Sequence, residues 1–216
     1  MSPSRGRRPG RPENSTGPDQ RSQLLDVAVQ QFSEHGISGT PLSRIAREAR
    51  VTPALLHYYF GNKDQLVDAV VRERVLALMA PALQSVTQPS PGDGASHLLD
   101  RFVATVLETV SAAPWLPPLW VREVLTEGGQ LREMLMREVA PRVTGAITEA
   151  IERDQRRGLL NPDIEPRLVP ISVIGLTIFA LATRSLWSRF PGNQDIDTAT
   201  LIRHVRALLS SGLSGG

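Results

Sequence analysis

An all-α fold is predicted by three features of this chain. Two short helices, each with its own start signal, are packed into residues 40 to 66. Apolar residues recur at helical spacing through most of the chain beyond residue 66, and Leu168 to Thr183 is a long stretch without a charge. Together they predict an N-terminal three-helix head carrying a helix-turn-helix, followed by a larger helical domain.

Residues 1–18 are rich in Gly, Pro, Ser and Arg and are read as a disordered basic arm. Asp19 can cap the first helix, in which Leu24, Leu25, Ala28, Val29 and Phe32 form one apolar face and which Gly36 closes. Thr40 and Pro41 are the next start signal, a hydroxyl cap followed by a proline where a missing N–H costs nothing. Leu42, Ile45, Ala46 and Ala49 then make a narrow apolar face opposite Ser43, Arg44, Arg47 and Glu48, and Val51 plugs the turn. Thr52 and Pro53 repeat the device, so a second helix runs through Leu56 to about Phe60. Gly61 breaks it, and Asn62 with Gln65 forms a capping box for a helix from Lys63 to about Ala80, ended by Pro81.

The segment 89–94 reads as a surface loop. Beyond it, Leu98, Leu99, Phe102, Val103, Val106, Leu107 and Val110 mark a helix ended by Pro114, and a short helix is expected over about 118–126. Residues 130–157 are helical, with Pro141 kinking or restarting the run and Gly158 closing it. Leu201, Ile202, Val205, Leu208 and Leu209 line the last helix. The uncharged stretch is sixteen residues long and contains Pro170, Ser172 and Thr177. A membrane span needs about twenty apolar residues, so no membrane association is expected. A helix apolar nearly all round must be covered, either by its own domain alone or also by a second copy of the chain, and Gly175 and Ile178 are the positions expected at such an interface.

The 216 residues, 41% of them hydrophobic, suffice for a substantial core. The absence of cysteine rules out disulfides and thiolate metal sites and accords with a reducing cytoplasm. With no apolar signal segment behind Arg5, Arg7, Arg8 and Arg11, a cytoplasmic location is expected. Formal net charge is only +2, so any nucleic-acid affinity depends on where the charge lies. The string GRRPGRP resembles an AT-hook-like arm for the minor groove; a solvated tail is the alternative. His35, His57, His97 and His204 fall on four different predicted helices, and no phosphate loop, zinc motif or nucleophile with its base is present. No enzymatic activity, cofactor or metal is therefore expected.

The second motif helix carries Pro53, Ala54, Leu55, His57, Tyr58 and Tyr59, a set that includes small and aromatic-polar groups. Small residues let a backbone approach base edges, while the polar tips reach phosphates. At Ile45-Ala46, Val51-Thr52, Leu56-His57-Tyr58-Tyr59-Phe60 and Asn62-Lys63-Asp64 the chain strongly resembles the tetracycline-repressor (TetR) family of bacterial regulators. The family usually has Tyr at the position of His57, commonly His at Tyr59, and often Gly at Arg50. The resemblance covers about residues 20 to 70. It implies a homodimeric transcriptional regulator, a repressor more than an activator, that reads a palindromic double-stranded DNA operator and is released by a small-molecule effector. Residues 19–65 would form the DNA-binding domain and 66–213 the effector-binding and dimerisation domain. Thr40, Ser43, Arg44, His57, Tyr58, Tyr59 and Lys63 are expected at phosphates, and Thr52, Pro53, Ala54 and Leu55 at base edges. Phe102, Trp115, Trp120, Met134 and Phe179 are candidate linings of an effector pocket for a small apolar or aromatic ligand. Arg122 and Glu123 beside Trp120 either add polar specificity there or form a solvated face.

Overall fold

The structure, a computed structural model, describes residues 18–88 and 94–214, and among these every regular element is helical. The basic arm and most of the 89–94 segment lie outside the described residues. The head is built from α1 (Pro18–His35), α2 (Leu42–Glu48) and α3 (Pro53–Phe60). A long helix, α4 (63–87), then leaves the head; it is α-helical over Lys63–Val70, widens to π geometry over Val71–Leu76 and returns to α over Ala77–Thr87. The second domain adds α5 (Ala95–Ser111), α6 (116–125), α7 (Arg132–Glu138), α8 (Ala140–Arg156), α9 (166–182), the short α10 (Arg184–Trp187) and α11 (Thr198–Leu213). No described helix is long and apolar enough to cross a membrane.

The head coheres because each helix places its apolar side on one point. Leu24, Leu25, Ala28 and Phe32 of α1, Ile45 and Ala46 of α2, Leu56 and Phe60 of α3, and Leu66 of α4 are all buried. Each large side chain contributes about 1.5–3 kcal/mol by leaving water, and truncating Phe32 to Ala would cost about 3–5 kcal/mol. Start signals work as expected at Asn62, whose Oδ1 accepts the Gln65 amide at 2.9 Å, while Thr52 holds the N-cap position of α3 without a side-chain bond. Pro141 restarts the run as the first turn of α8.

Two expectations are corrected. Thr40 does not cap α2: Pro41 holds that position, and the buried Thr40 hydroxyl donates instead to the carbonyl oxygens of Gly36 (2.7 Å) and Gln31 (3.2 Å), tying the α1–α2 connection shut. Pro81 does not end α4, which runs on to Thr87 with Pro81 inside it. Burial of Ala82 and Val86, and packing of this last part of α4 along α5, offset the loss of one amide donor.

Long-range polar contacts fix the helices relative to each other. Arg21 of α1 makes two bonds of 2.6 Å to the Glu73 carboxylate, and Arg74 reaches Asp26 (2.6 Å) and the carbonyl and hydroxyl of Ser22 (2.9 and 2.7 Å). The N-terminus of α5 has no cap of its own; Asp154, buried on α8, accepts the Ala95 amide at 2.7 Å. Arg153 and Arg157 stand 3.5 and 3.8 Å from the same carboxylate and offset its desolvation.

Candidate nucleic-acid interface and internal chamber

The turn between α2 and α3 decides what α3 presents. The Val51 amide bonds to the Ala46 carbonyl and the Arg50 amide to the Arg47 carbonyl, the pair of bonds that closes a helix when the residue between is left-handed. That residue is Arg50, with φ of +56°, the one non-glycine position among the described residues with positive φ. Glycine adopts this conformation freely and an L side chain does not, so Arg50 holds the turn at a conformational cost.

With Leu56 and Phe60 turned into the core, α3 leaves Thr52, Pro53, Ala54, His57 and Tyr58 exposed, and no acidic residue lies among them. Tyr58 is 80% exposed, and its ring stands edge-on to Tyr59 at 5.2 Å between centroids. His57 Nδ1 lies 2.7 Å from the Gly61 carbonyl, which can only accept, so Nδ1 carries the hydrogen and Nε2 is the ring atom left for an outside group. On α2, Ser43 is exposed and Arg44 half-buried; Lys63, half-buried, donates to the Ser38 carbonyl at 3.3 Å. Leu55 is half-buried beside these.

Two of the expected contact residues have side-chain partners within the head. Thr40 is fully buried with its hydroxyl committed, leaving it no surface for a phosphate. Tyr59 is partly buried and its hydroxyl donates to Gln20 Oε1 at 3.3 Å, bracing α3 on α1. Conversely, Arg47 and Arg50 are exposed, have no acidic partner among the described residues and flank the motif turn. Neither has an acid three or four positions away, and that was the signal in the sequence that could have marked them.

Away from the head, α4, α5, α6, α7, α8 and α9 line an apolar chamber of about 230 Å³. Phe102 and Trp120 line it, as expected. Trp115, Met134 and Phe179 do not: Trp115 and Met134 pack on the outside of the core, and Phe179 lies on a separate surface groove with Leu176, Trp187 and His204. Helical phase is the reason, since Phe179 follows the buried Thr177 and Ile178 on a helix whose outer side is exposed. The polar atoms of the chamber wall are few. Thr144 and Thr177 spend their hydroxyl hydrogens on backbone carbonyls, and the buried Trp120 indole N–H has no acceptor among the described residues.

Beside the chamber stands Glu123, buried on α6 rather than solvated. One carboxyl oxygen accepts the Ile37 amide of the head at 2.7 Å, and the other the Gln130 amide at 3.1 Å. The neighbouring Arg122 is exposed.

Comparison with known proteins agrees with this geometry. Residues 24–70 match the family model described as bacterial regulatory proteins, tetR family, and residues 96–211 match the tetracyclin repressor-like C-terminal domain. A transcriptional repressor of helix-turn-helix type from Streptomyces coelicolor, SCO4008, is 31% identical over 83 residues, which cover 38% of this chain and 40% of that protein. The match thus spans less than half of that relative's length. The ketosteroid transcriptional regulator KstR2 of Mycobacterium tuberculosis superposes with a TM-score of 0.72 at 18% identity, covering 93% of this chain and 98% of its own. The transcriptional regulator FadR from Bacillus subtilis, in complex with stearoyl-CoA, gives a TM-score of 0.65 at 19% identity, covering 88% and 98%.

Proposed function

The chain belongs to the tetR family of bacterial regulatory proteins, and from that premise we propose that it is a repressor that binds a palindromic DNA operator as a homodimer and leaves it when a small, largely apolar molecule fills the chamber. The observation that carries the reading is the exposed, acid-free face of α3, held at fixed orientation by the buried Leu56 and Phe60. In the proposed complex Thr52, Pro53, Ala54 and Leu55 meet base edges, while Ser43, Arg44, His57, Tyr58 and Lys63 hold phosphates. Arg47 and Arg50 join the phosphate set.

Exposed apolar side chains in the last part of the chain support the homodimer. Ile171 and Phe179 on α9, Leu186 on α10, Phe190 just after it and Leu208 on α11 are each about half or more exposed. A monomer gains nothing by showing these to water, and a two-fold contact between two copies would cover them. The expected interface position Ile178 is corrected here, since it is buried within its own subunit; Gly175 is exposed and remains available.

Support for effector control comes from where the chamber sits. Its wall includes Trp120, Val124 and Leu125 of α6, the helix whose Glu123 holds the head at Ile37, and Met79 and Ala82 of α4, the helix that starts in the head at Lys63. A ligand that favours one arrangement of α4 and α6 thereby favours one placement of the heads. The known neighbour crystallised with stearoyl-CoA shares the fold and supports an apolar occupant.

The test is retention of genomic fragments by the purified protein at moderate salt, followed by footprinting. Protection of a palindrome with half-sites about one helical turn apart, lost steeply as salt rises, is the expected result. Retention of no fragment above background at any salt would overturn the reading.

A further inference from the structure

The chamber has a second compartment, and the two differ in chemistry. Outside the apolar chamber lies a cavity of about 330 Å³, and Met79, Leu83 and Val139 line both, forming the partition between them. Met79, with an unbranched and adaptable side chain, is the part of that partition able to swing aside without backbone movement. The outer cavity is bordered by two charged residues, Glu138 and Arg142. Glu138 is engaged by Arg137 at 3.2 Å, whereas the Arg142 guanidinium has no hydrogen-bond or ion-pair partner among the described residues. Among the described residues no other charged side chain lines either compartment.

We propose that the effector is an anionic amphiphile, its hydrocarbon body in the inner chamber and its carboxylate or comparable anionic group on Arg142 in the outer one. The proposal rests on the chamber being the effector site and adds to it the charge and the orientation of the ligand. A neutral hydrocarbon would satisfy the inner compartment alone. An amphiphilic cation would meet Arg142 with like charge, while the one nearby carboxylate is already engaged. A planar guanidinium with every side-chain donor free is suited to bind a carboxylate through two bonds.

The experiment measures binding of decanoate, 1-decanol and decyltrimethylammonium, each below its micellar concentration, to the full chain and to Arg142→Gln by calorimetry, with thermal melts confirming that the variant is folded. Decanoate is expected to bind about tenfold more tightly than decanol to the natural chain, with the cation weakest, and the preference is expected to vanish in Arg142→Gln. Equal binding of acid and alcohol, or an acid preference that survives in the variant, would overturn the anionic assignment while leaving an apolar effector chamber intact. Binding of none of the three would count against the chamber itself, and with it this proposal. A Val106→Trp variant that fills the inner chamber is expected to lose all three ligands; unaltered binding there would place them elsewhere and overturn the proposal as well.

Discussion

A carboxyl oxygen of Glu123 lies 2.7 Å from the main-chain amide of Ile37, a pair separated by 86 positions in the chain. It is a bond between the wall of the chamber and the connection that leads into the first motif helix. The hydroxyl of Thr40, bound to Gly36 and Gln31, closes the same connection from its other side.

Glu123→Ala would leave the Ile37 and Gln130 amides without their acceptor. A loss of about 2–3 kcal/mol in unfolding free energy is expected, and a smaller one for Glu123→Gln, which keeps one carbonyl oxygen. Urea denaturation of the three proteins checks this, and an alanine variant as stable as the natural chain would show that water replaces the carboxyl group without cost.

Arg50→Gly should act on two properties in opposite directions. Releasing the left-handed strain is expected to stabilise the fold by about 0.5–1 kcal/mol, while removing the guanidinium weakens operator binding and lowers its salt slope by about one. Thermal melts and a salt series of operator titrations separate the two; a variant with unchanged salt slope would remove Arg50 from the phosphate contacts.

Tyr58→Ala is expected to leave stability within about 0.5 kcal/mol of the natural chain, because the side chain is 80% exposed. Operator affinity should fall by about tenfold as a phosphate contact is lost. Gel-shift titration gives the answer, and equal affinity would show that the ring points past the DNA.

Phe179→Asp places a charge at one of the exposed apolar positions and is expected to yield folded monomers that bind the operator weakly. Light scattering after size exclusion measures the mass. Ile178→Arg, one residue away, would instead bury a charge inside the subunit and is expected to unfold it. A dimeric Phe179→Asp protein would move the interface to another face.

Acid should loosen the join between α1 and α4. The Arg21 guanidinium, bonded to the Glu73 carboxylate, holds that carboxyl below its ordinary value of 4.5, and bonds from the Thr200 amide and hydroxyl lower Asp197. Carboxyls depressed in the folded state contribute stability above their unfolded values and lose it as pH falls through their folded ones. The melting temperature is therefore expected to fall from about pH 5 downward, and to fall less in Glu73→Gln. A variant whose acid profile matches that of the natural chain would show that the pair is fully screened by water.

The parts of this architecture legible in the sequence are those set by neighbours in the chain. Pro53 at the start of α3, the Asn62 cap, Gly36 and Gly158 after their helices and the restart at Pro141 all depend on residues within one turn. The departures arise where distant residues decide. The α5 cap comes from Asp154, and Glu123 is buried because Ile37 and Gln130 supply its donors. Thr40 finds carbonyls of the preceding helix instead of amides of the following one. For the interface, the exposed face of α3 follows from helical phase about Leu56 and Phe60, whereas the bond from Tyr59 to Gln20 depends on how α1 crosses α3. The chamber candidates divide by phase as well, and phase along α9 is shifted by its π turn over Gly175–Phe179.

The continuity of α4 through residue 87 bears on how portable the DNA-reading head is. The match to the family's N-terminal model ends at residue 70, inside that helix, and both side-chain ties between α1 and α4 use residues beyond it, Glu73 and Arg74. A chimera cut where the recognisable segment ends would sever the rod and discard the fasteners that keep α1 in place. To transplant this head onto another receiver domain, the graft must carry the helix past Arg74, and the new partner must supply a carboxyl group for the Ile37 amide.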